Sequence, residues 1–241
     1  MSKPREHDHI NNRILLALPA STLKRMWPAL ELFDMAKGQM IDHVDGPIRY
    51  MYFINRGLVS LVKTMKDGRA VEVGVVGIEG VTDPNALFGM EIAIIEAVVQ
   101  IPGEAFRIRR DHLAEVMATD HTLHDVMQKY TRFAFGQLAQ TAGCNRLHSL
   151  EERCCRRLLI CQDNALSDSF PITHEFLATM LGVQRSGVSI TASFLQKAGL
   201  IKYARGRVTI VNRAGLEDAA CECYASTRAE LDHLFLSQEK E

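Results

Sequence analysis

The chain has 241 residues, with 28 Lys and Arg against 29 Asp and Glu, 47% hydrophobic residues and 24% charged ones. That balance belongs to an ordinary globular protein and excludes a disordered polyelectrolyte or a collagen-like repeat. At roughly 100–200 residues per domain, the length allows one large domain or two modest ones. Apolar runs are short and interrupted, as residues 71–78 are by Glu72, so none approaches the about 20 residues of a membrane-spanning helix. The N-terminus, MSKPREHDHINNR, lacks the apolar core of a secretory signal, and a cytoplasmic location is expected.

The first hundred residues carry strand signals. After a short helical lead-in (residues 11–18 and 21–27), apolar runs at 30–33, 50–54, 58–64, 70–76, 92–101 and 105–108 alternate with turn residues. Lys66-Asp67-Gly68-Arg69 between two such runs predicts a hairpin. Asn55-Arg56-Gly57 and Pro102-Gly103 are read as further turns. This spacing favours an antiparallel roll or jelly-roll over a parallel α/β sheet. Gly74, Gly77 and Gly80 form a GxxGxxG outside any βαβ unit, so they are read as turns of the roll and not as a phosphate loop.

Helical periodicity follows. Asp111 is expected to cap a short helix through Leu113 and Met117. A long helix then carries Leu123, Val126, Met127, Tyr130, Phe133 and Leu138 at helical spacing. That stripe can pack on the roll or pair with a second copy, and the sequence does not choose. Another helix spans 150–162, with a hinge loop at 164–169.

Net charge hides an asymmetry. Residues 1–167 are neutral, 168–215 carry +4 and 216–241 carry −5. A basic segment in a neutral chain is the footprint of a module that meets a polyanion. Within it, Thr173 can cap a helix over 174–181 with Phe176, Leu177 and Met180 inward, and Gly182 makes a tight turn. A second helix over 184–198 has Val188, Thr191, Phe194 and Leu195 inward, and ends at Gly199. Two strands then flank Arg205-Gly206-Arg207. This is a helix-turn-helix with a cationic β-hairpin wing. The second helix can enter a major groove: Arg185 suits guanine, while Gln184, Ser186 and Ser189 meet bases or phosphates. Thr173 suits a phosphate through its hydroxyl and the helix N-terminus, and Arg205 and Arg207 suit the DNA backbone.

THEFLATMLGVQRSGVSITASFLQKAGLIKYARGRVTI resembles the DNA-binding domain of the CRP/FNR family of bacterial transcription regulators. YMYFINRGLVSLV and KDGRAVEVGVVG resemble that family's β-roll. The resemblance implies an α+β fold: a cyclic-nucleotide-binding-like roll over 1–120, a dimerisation helix and hinge over 121–163, and a winged helix-turn-helix over 164–241. It implies a homodimer through Leu123, Val126, Met127, Tyr130, Phe133 and Leu138. Its partners would be a two-fold site on double-stranded DNA and RNA polymerase, with no membrane contact.

The departures from the family pattern are informative. Glu79 falls near the ribose position of cyclic-AMP-binding members, but Ile95-Glu96 stands where an Arg and a hydroxyl hold the phosphate. A cyclic phosphate would lose its strongest pairing and face a carboxylate. The first Cys is Cys144, so the N-terminal cluster of the iron–sulfur members is missing. In the family's founding member the recognition helix carries an Arg-Glu pair and a second Arg. Here Arg185 is followed by Ser186 and Ile190, so a different operator is expected, with Ile190 against a thymine methyl or inert. The effector is unassigned, and control by a cyclic nucleotide or by haem, for which nine histidines offer candidates, remains an alternative. A cupin-like metal enzyme is a further one, although the roll offers only His43 between residues 10 and 111. The six cysteines contain no CxxC and read as free buried thiols; i,i+2 cysteines make poor zinc knuckles. No metal ligand, cofactor or catalytic residue is assigned, and His7-Asp8-His9 carries no site.

Overall fold

The computed structural model describes residues 10–236, so His7-Asp8-His9 lies outside the described residues. Two short helices, α1 (Arg13–Ala17) and α2 (Ala20–Met26), lead in. Asn12 caps α1 by accepting the Leu15 N–H, while its amide donates to the Ile54 and Gly80 carbonyls. One side chain thus starts a helix and fastens it to the roll.

The roll is an antiparallel sheet of β1 (Glu31–Met35), β2 (Met40–Asp42), β3 (Tyr50–Thr64), β4 (Ala70–Val76) and β5 (Glu96–Arg109), ordered β1-β5-β3-β4 with β2 also on β5. The Asp67-Gly68 hairpin closes between Thr64 and Ala70, with Gly68 at φ +82°. The two other expected turns are absent: β3 runs straight through Asn55-Arg56-Gly57, and β5 through Pro102-Gly103. Their glycines serve bulges instead. The β3–β5 register shifts between Ile54 and Arg56 and again up to Val59. A Cβ at Gly57 (φ +99°) would lie 2.6 Å from the Ile101 carbonyl oxygen, and one at Gly103 would overlap the Arg56 carbonyl. Close backbone approach at a bulge and reversal at a turn require the same residue type.

Three helices follow: α3 (Arg110–Ala118), α4 (His121–Leu147) and α5 (Leu150–Ala165). The N-cap of α3 is Arg109; Asp111 sits in the first turn and pairs with Arg110 at 2.6 Å rather than capping. Asp120 caps α4 through the Leu123 N–H, and Ser149 with Glu152 forms a capping box on α5.

The α4 stripe is committed within the chain. Leu123, Val126, Met127, Tyr130 and Phe133 are buried in the roll core with Met51, Phe53 and Phe106, and Leu138 packs against Gly74. The expectation of a seam with a second copy is corrected for the first five, whose apolar surface already has a partner, while Leu138 is half-buried. The outward stripe of α4 is Gln128, Arg132, Phe135, Ala139, Ala142 and Arg146. Its alternating spacing of four and three is that of a coiled-coil seam, and Phe135 is 74% exposed on it.

The C-terminal unit contains β6 (Ser169–Pro171), α6 (His174–Leu181), α7 (Arg185–Lys197), β7 (Ile201–Ala204) and β8 (Arg207–Ile210), its sheet ordered β6-β8-β7. Then α8 (Arg213–Asp218) and α9 (Cys223–Leu236) follow. The last helix returns along α4. Leu231, Leu234 and Phe235 pack on the roll core, and Asp232 pairs with Arg13 at 3.1 Å.

Candidate nucleic-acid interface

Local chemistry sets the entry of each reader helix. The Thr173 hydroxyl accepts the Phe176 N–H and starts α6, and Gly182 at φ +63° ends it. Val188, Thr191 and Leu195 seat α7 in the core of the unit. Phe194, expected inward, is 54% exposed; it lies just past the buried arc of α7, where helical spacing alone does not separate face from edge. The outward surface of α7 presents Gln184, Arg185, Ser186 and Ile190, and continues through Ser193 and Lys197. Ser193 and Lys197 fall at i+3 and i+7 from Ile190, a periodicity that marks them as members of the same face.

Arg185 is exposed and lies 3.8 Å from the Glu175 carboxylate, a loose contact that a stronger anion would displace. Gln184 is the N-cap of α7 but makes no side-chain cap, which leaves its amide to project outward. Ser189 is less free than its position suggests. Its hydroxyl donates to the Arg185 carbonyl at 3.1 Å and lies 3.0 Å from His174 Nδ1. His174 stacks on Tyr203 with ring centroids 4.2 Å apart. Burial, helped by the Arg185 charge, holds the His174 pKa below its ordinary value, so the ring is neutral at pH 7.

The wing is tied to the start of α6. The Ile172 N–H donates to the Gly206 carbonyl at 2.9 Å, and Thr173 packs beside Gly206. Arg205 and Gly206 both take positive φ, 49° and 72°, as a two-residue hairpin turn of matching twist demands. Arg205 and Arg207 are exposed, and Arg207 donates to the Ser169 carbonyl. Thr173, Arg205 and Arg207 therefore share one end of the surface that α7 crosses.

The roll end presents different chemistry. Glu79 is buried and its carboxylate accepts the Gly77 N–H at 2.8 Å, so it folds back on its own turn. Glu96 accepts the Thr64 hydroxyl, and residues 84–96 contain no Lys or Arg. Asp42 and Asp83 face each other inside the roll. Burial, then the Asp83 charge, pushes the Asp42 carboxyl up to about 8. A cavity of about 260 Å³ lies where the roll, α4, α5 and α9 meet. Arg13, Arg156 and Arg228 line it against Glu79, Asp163 and Asp232, so its charges balance and no anion is singled out.

The two ends meet at a buried seam. Arg157 of α5 forms a bidentate pair with Glu72 of β4 at 2.6 Å, with side chains 6% and 8% exposed. It also donates to Gln100 Oε1 of β5 and touches the Met180 sulfur of α6.

Two family descriptions match the sequence: a cyclic nucleotide-binding domain over residues 33–120 and a Crp-like helix-turn-helix domain over 152–219. No match is found among curated proteins. The fold is similar to that of FixK2 from Bradyrhizobium japonicum, with a TM-score of 0.66 and 19% identity over 80% of this chain and 98% of that one. A CRP/FNR-family regulator from Eubacterium rectale aligns with a TM-score of 0.66 and 17% identity, over 86% and 96%. A CRP-family transcriptional regulator from Thermus thermophilus gives 0.64 and 24%, over 79% and 96%. Among the described residues no helix is long and apolar enough to cross a membrane.

Proposed function

This chain belongs to the CRP/FNR family of transcription regulators, and from that premise we propose that it binds a two-fold DNA operator as a homodimer without cyclic AMP. The observation that carries the reading is the outer face of α7. Arg185, Ser186, Ile190, Ser193 and Lys197 stand clear of the core at helical spacing, and the wing arginines flank them. In a major groove Arg185 addresses guanine O6 and N7, and Ile190 a thymine methyl. Thr173, Arg205 and Arg207 hold the phosphates and set the register.

The outward stripe of α4 supports the second copy. Phe135 supplies the apolar contact, while Ala139 and Gly143 allow close approach of two helices. The roll chemistry supports independence from cyclic AMP: a cyclic phosphate finds no arginine in residues 84–96, and Glu96 places a carboxylate in the same stretch. RNA polymerase is the further partner of such a regulator, in the cytoplasm.

Selection of bound duplexes from a random pool tests the reading. The expected product is a palindrome whose half-sites lie roughly 34–36 Å apart, with an affinity indifferent to cyclic AMP. Recovery of no consensus, or an affinity that rises on adding cyclic AMP, overturns it.

A further inference from the structure

Four potential metal ligands converge where α4 ends. Cys144 lies in the last turn of α4 and His148 is its C-cap residue, four positions on. Cys221 comes from the segment joining α8 to α9 and Cys223 is the first residue of α9, more than seventy residues later. All three thiols are buried and form a small cluster of their own. The four ligand atoms lie within 4.8 Å of one another. Cys144 Sγ is 3.6 Å from Cys221 Sγ, and Cys223 Sγ is 3.6 Å from His148 Nδ1.

We propose that Cys144, His148, Cys221 and Cys223 bind one zinc ion, which pins the start of α9 to the end of α4. Zinc sits about 2.3 Å from thiolate sulfur and about 2.0–2.1 Å from imidazole nitrogen in a tetrahedron. The edges of such a tetrahedron are about 3.5–3.8 Å long, close to the separations found. An iron–sulfur cluster spreads its terminal ligands over several irons and needs a wider frame; ligands this tight converge on a single ion. Four protein ligands leave no open position, which makes the site structural.

The surroundings fit a metal. His148 Nε2 lies 3.1 Å from the Glu222 carboxylate, which fixes the proton on Nε2 and leaves the Nδ1 lone pair facing the thiols. Gln140 Nε2 donates to Cys223 Sγ at 2.9 Å, a bond that favours a charged sulfur. A zinc ion with three thiolates and one imidazole carries a net charge of −1. Arg156 is buried beside Cys144, and among the described residues no carboxylate lies within 4 Å of its guanidinium. Its Nε has no hydrogen-bond partner. A cation beside the site offsets the negative charge of such a metal complex. On binding, three thiol protons pass to solvent and three S–Zn bonds and one N–Zn bond form.

The sequence shows only a Cys-x₃-His and a remote Cys-x-Cys. Neither half makes a knuckle alone; the return of α9 along α4 brings them together.

Metal uptake by the reduced, metal-stripped full chain tests the site, independently of DNA binding. Zinc is expected at one ion per chain after gel filtration. Cobalt is expected to give the strong visible bands and thiolate charge-transfer absorption of a tetrahedral sulfur site. Cys144→Ser and Cys223→Ser should abolish that spectrum, and Cys154→Ser should leave it intact. Glu222→Gln, on an exposed side chain that leaves folding untouched, should weaken zinc affinity about 10–100-fold. No zinc retained by the reduced wild-type chain, or a six-coordinate cobalt spectrum, overturns the proposal. So does equal loss of binding in Cys154→Ser.

Discussion

Arg157 and Arg185 are the same side chain placed in opposite solvents. Arg157 is buried at the seam between α5 and the roll, clasped by Glu72 and Gln100. Arg185 stands in water at the head of α7 with one loose neighbour. Burial raises the cost of leaving a charge unpaired, so Arg157 is bound to the stability of the joint. Exposure leaves Arg185 with unspent hydrogen-bonding capacity, which is what recognition requires. The reader and the seam therefore answer differently to the same truncation.

The largest effect is expected at the seam. Arg157→Ala strands the Glu72 carboxylate, which burial already pushes above its ordinary pKa against the pull of Arg157. The loss should be about 3–5 kcal/mol in urea denaturation. Replacing both partners by methionine should cost far less. A loss below about 1 kcal/mol for the single variant would show that the pair does not hold the joint.

The two faces of α4 offer the next contrast. Phe133→Ala should cost about 3–5 kcal/mol of stability by opening the roll core, with little effect on association. Phe135→Glu should leave stability within about 0.5 kcal/mol and weaken the proposed dimer by about 2 kcal/mol, read by sedimentation equilibrium. A monomer–dimer balance that responds to Phe133 and not to Phe135 would reverse the assignment of the faces.

Arg185→Ala should lower affinity for the selected operator by about 1–3 kcal/mol and relax preference at one base pair, with unfolding unchanged. An unaltered gel-shift titration would remove Arg185 from the base-reading set.

Asp42 supplies a pH test. Its carboxyl is held near 8 in the fold and near the ordinary ~4 when unfolded. The group is protonated in both states below about pH 4. As pH rises towards 8 the unfolded chain gives up the proton and the fold keeps it, so stability falls across that window. Asp42→Asn should flatten the decline and gain about 1–2 kcal/mol at about pH 8. A variant with the wild-type slope would place the pH dependence elsewhere.

The smallest effect is expected at the wing. Arg207→Ala should weaken all duplexes alike and reduce the salt slope by about one, with base preference intact.

Much of the reader was legible without coordinates, because its determinants are neighbours in the chain. Thr173 caps the helix it precedes, Gly182 ends it, and Arg205-Gly206 turns the hairpin between adjacent strands. The long helix and its apolar periodicity were legible for the same reason. Periodicity reports that a face is apolar, and it is silent on which surface covers that face. Only the docking of α4 on the roll decided that Leu123, Val126, Met127, Tyr130 and Phe133 are interior and Phe135 is exterior. Gly57 and Gly103 carry the same signal as a turn, and their meaning came from the carbonyls across the sheet. Cys144 and Cys223 are strangers in sequence; the long-range return of α9 made them neighbours. What local backbone preference controls was settled by the residues in order, and what depends on a distant surface was settled by packing.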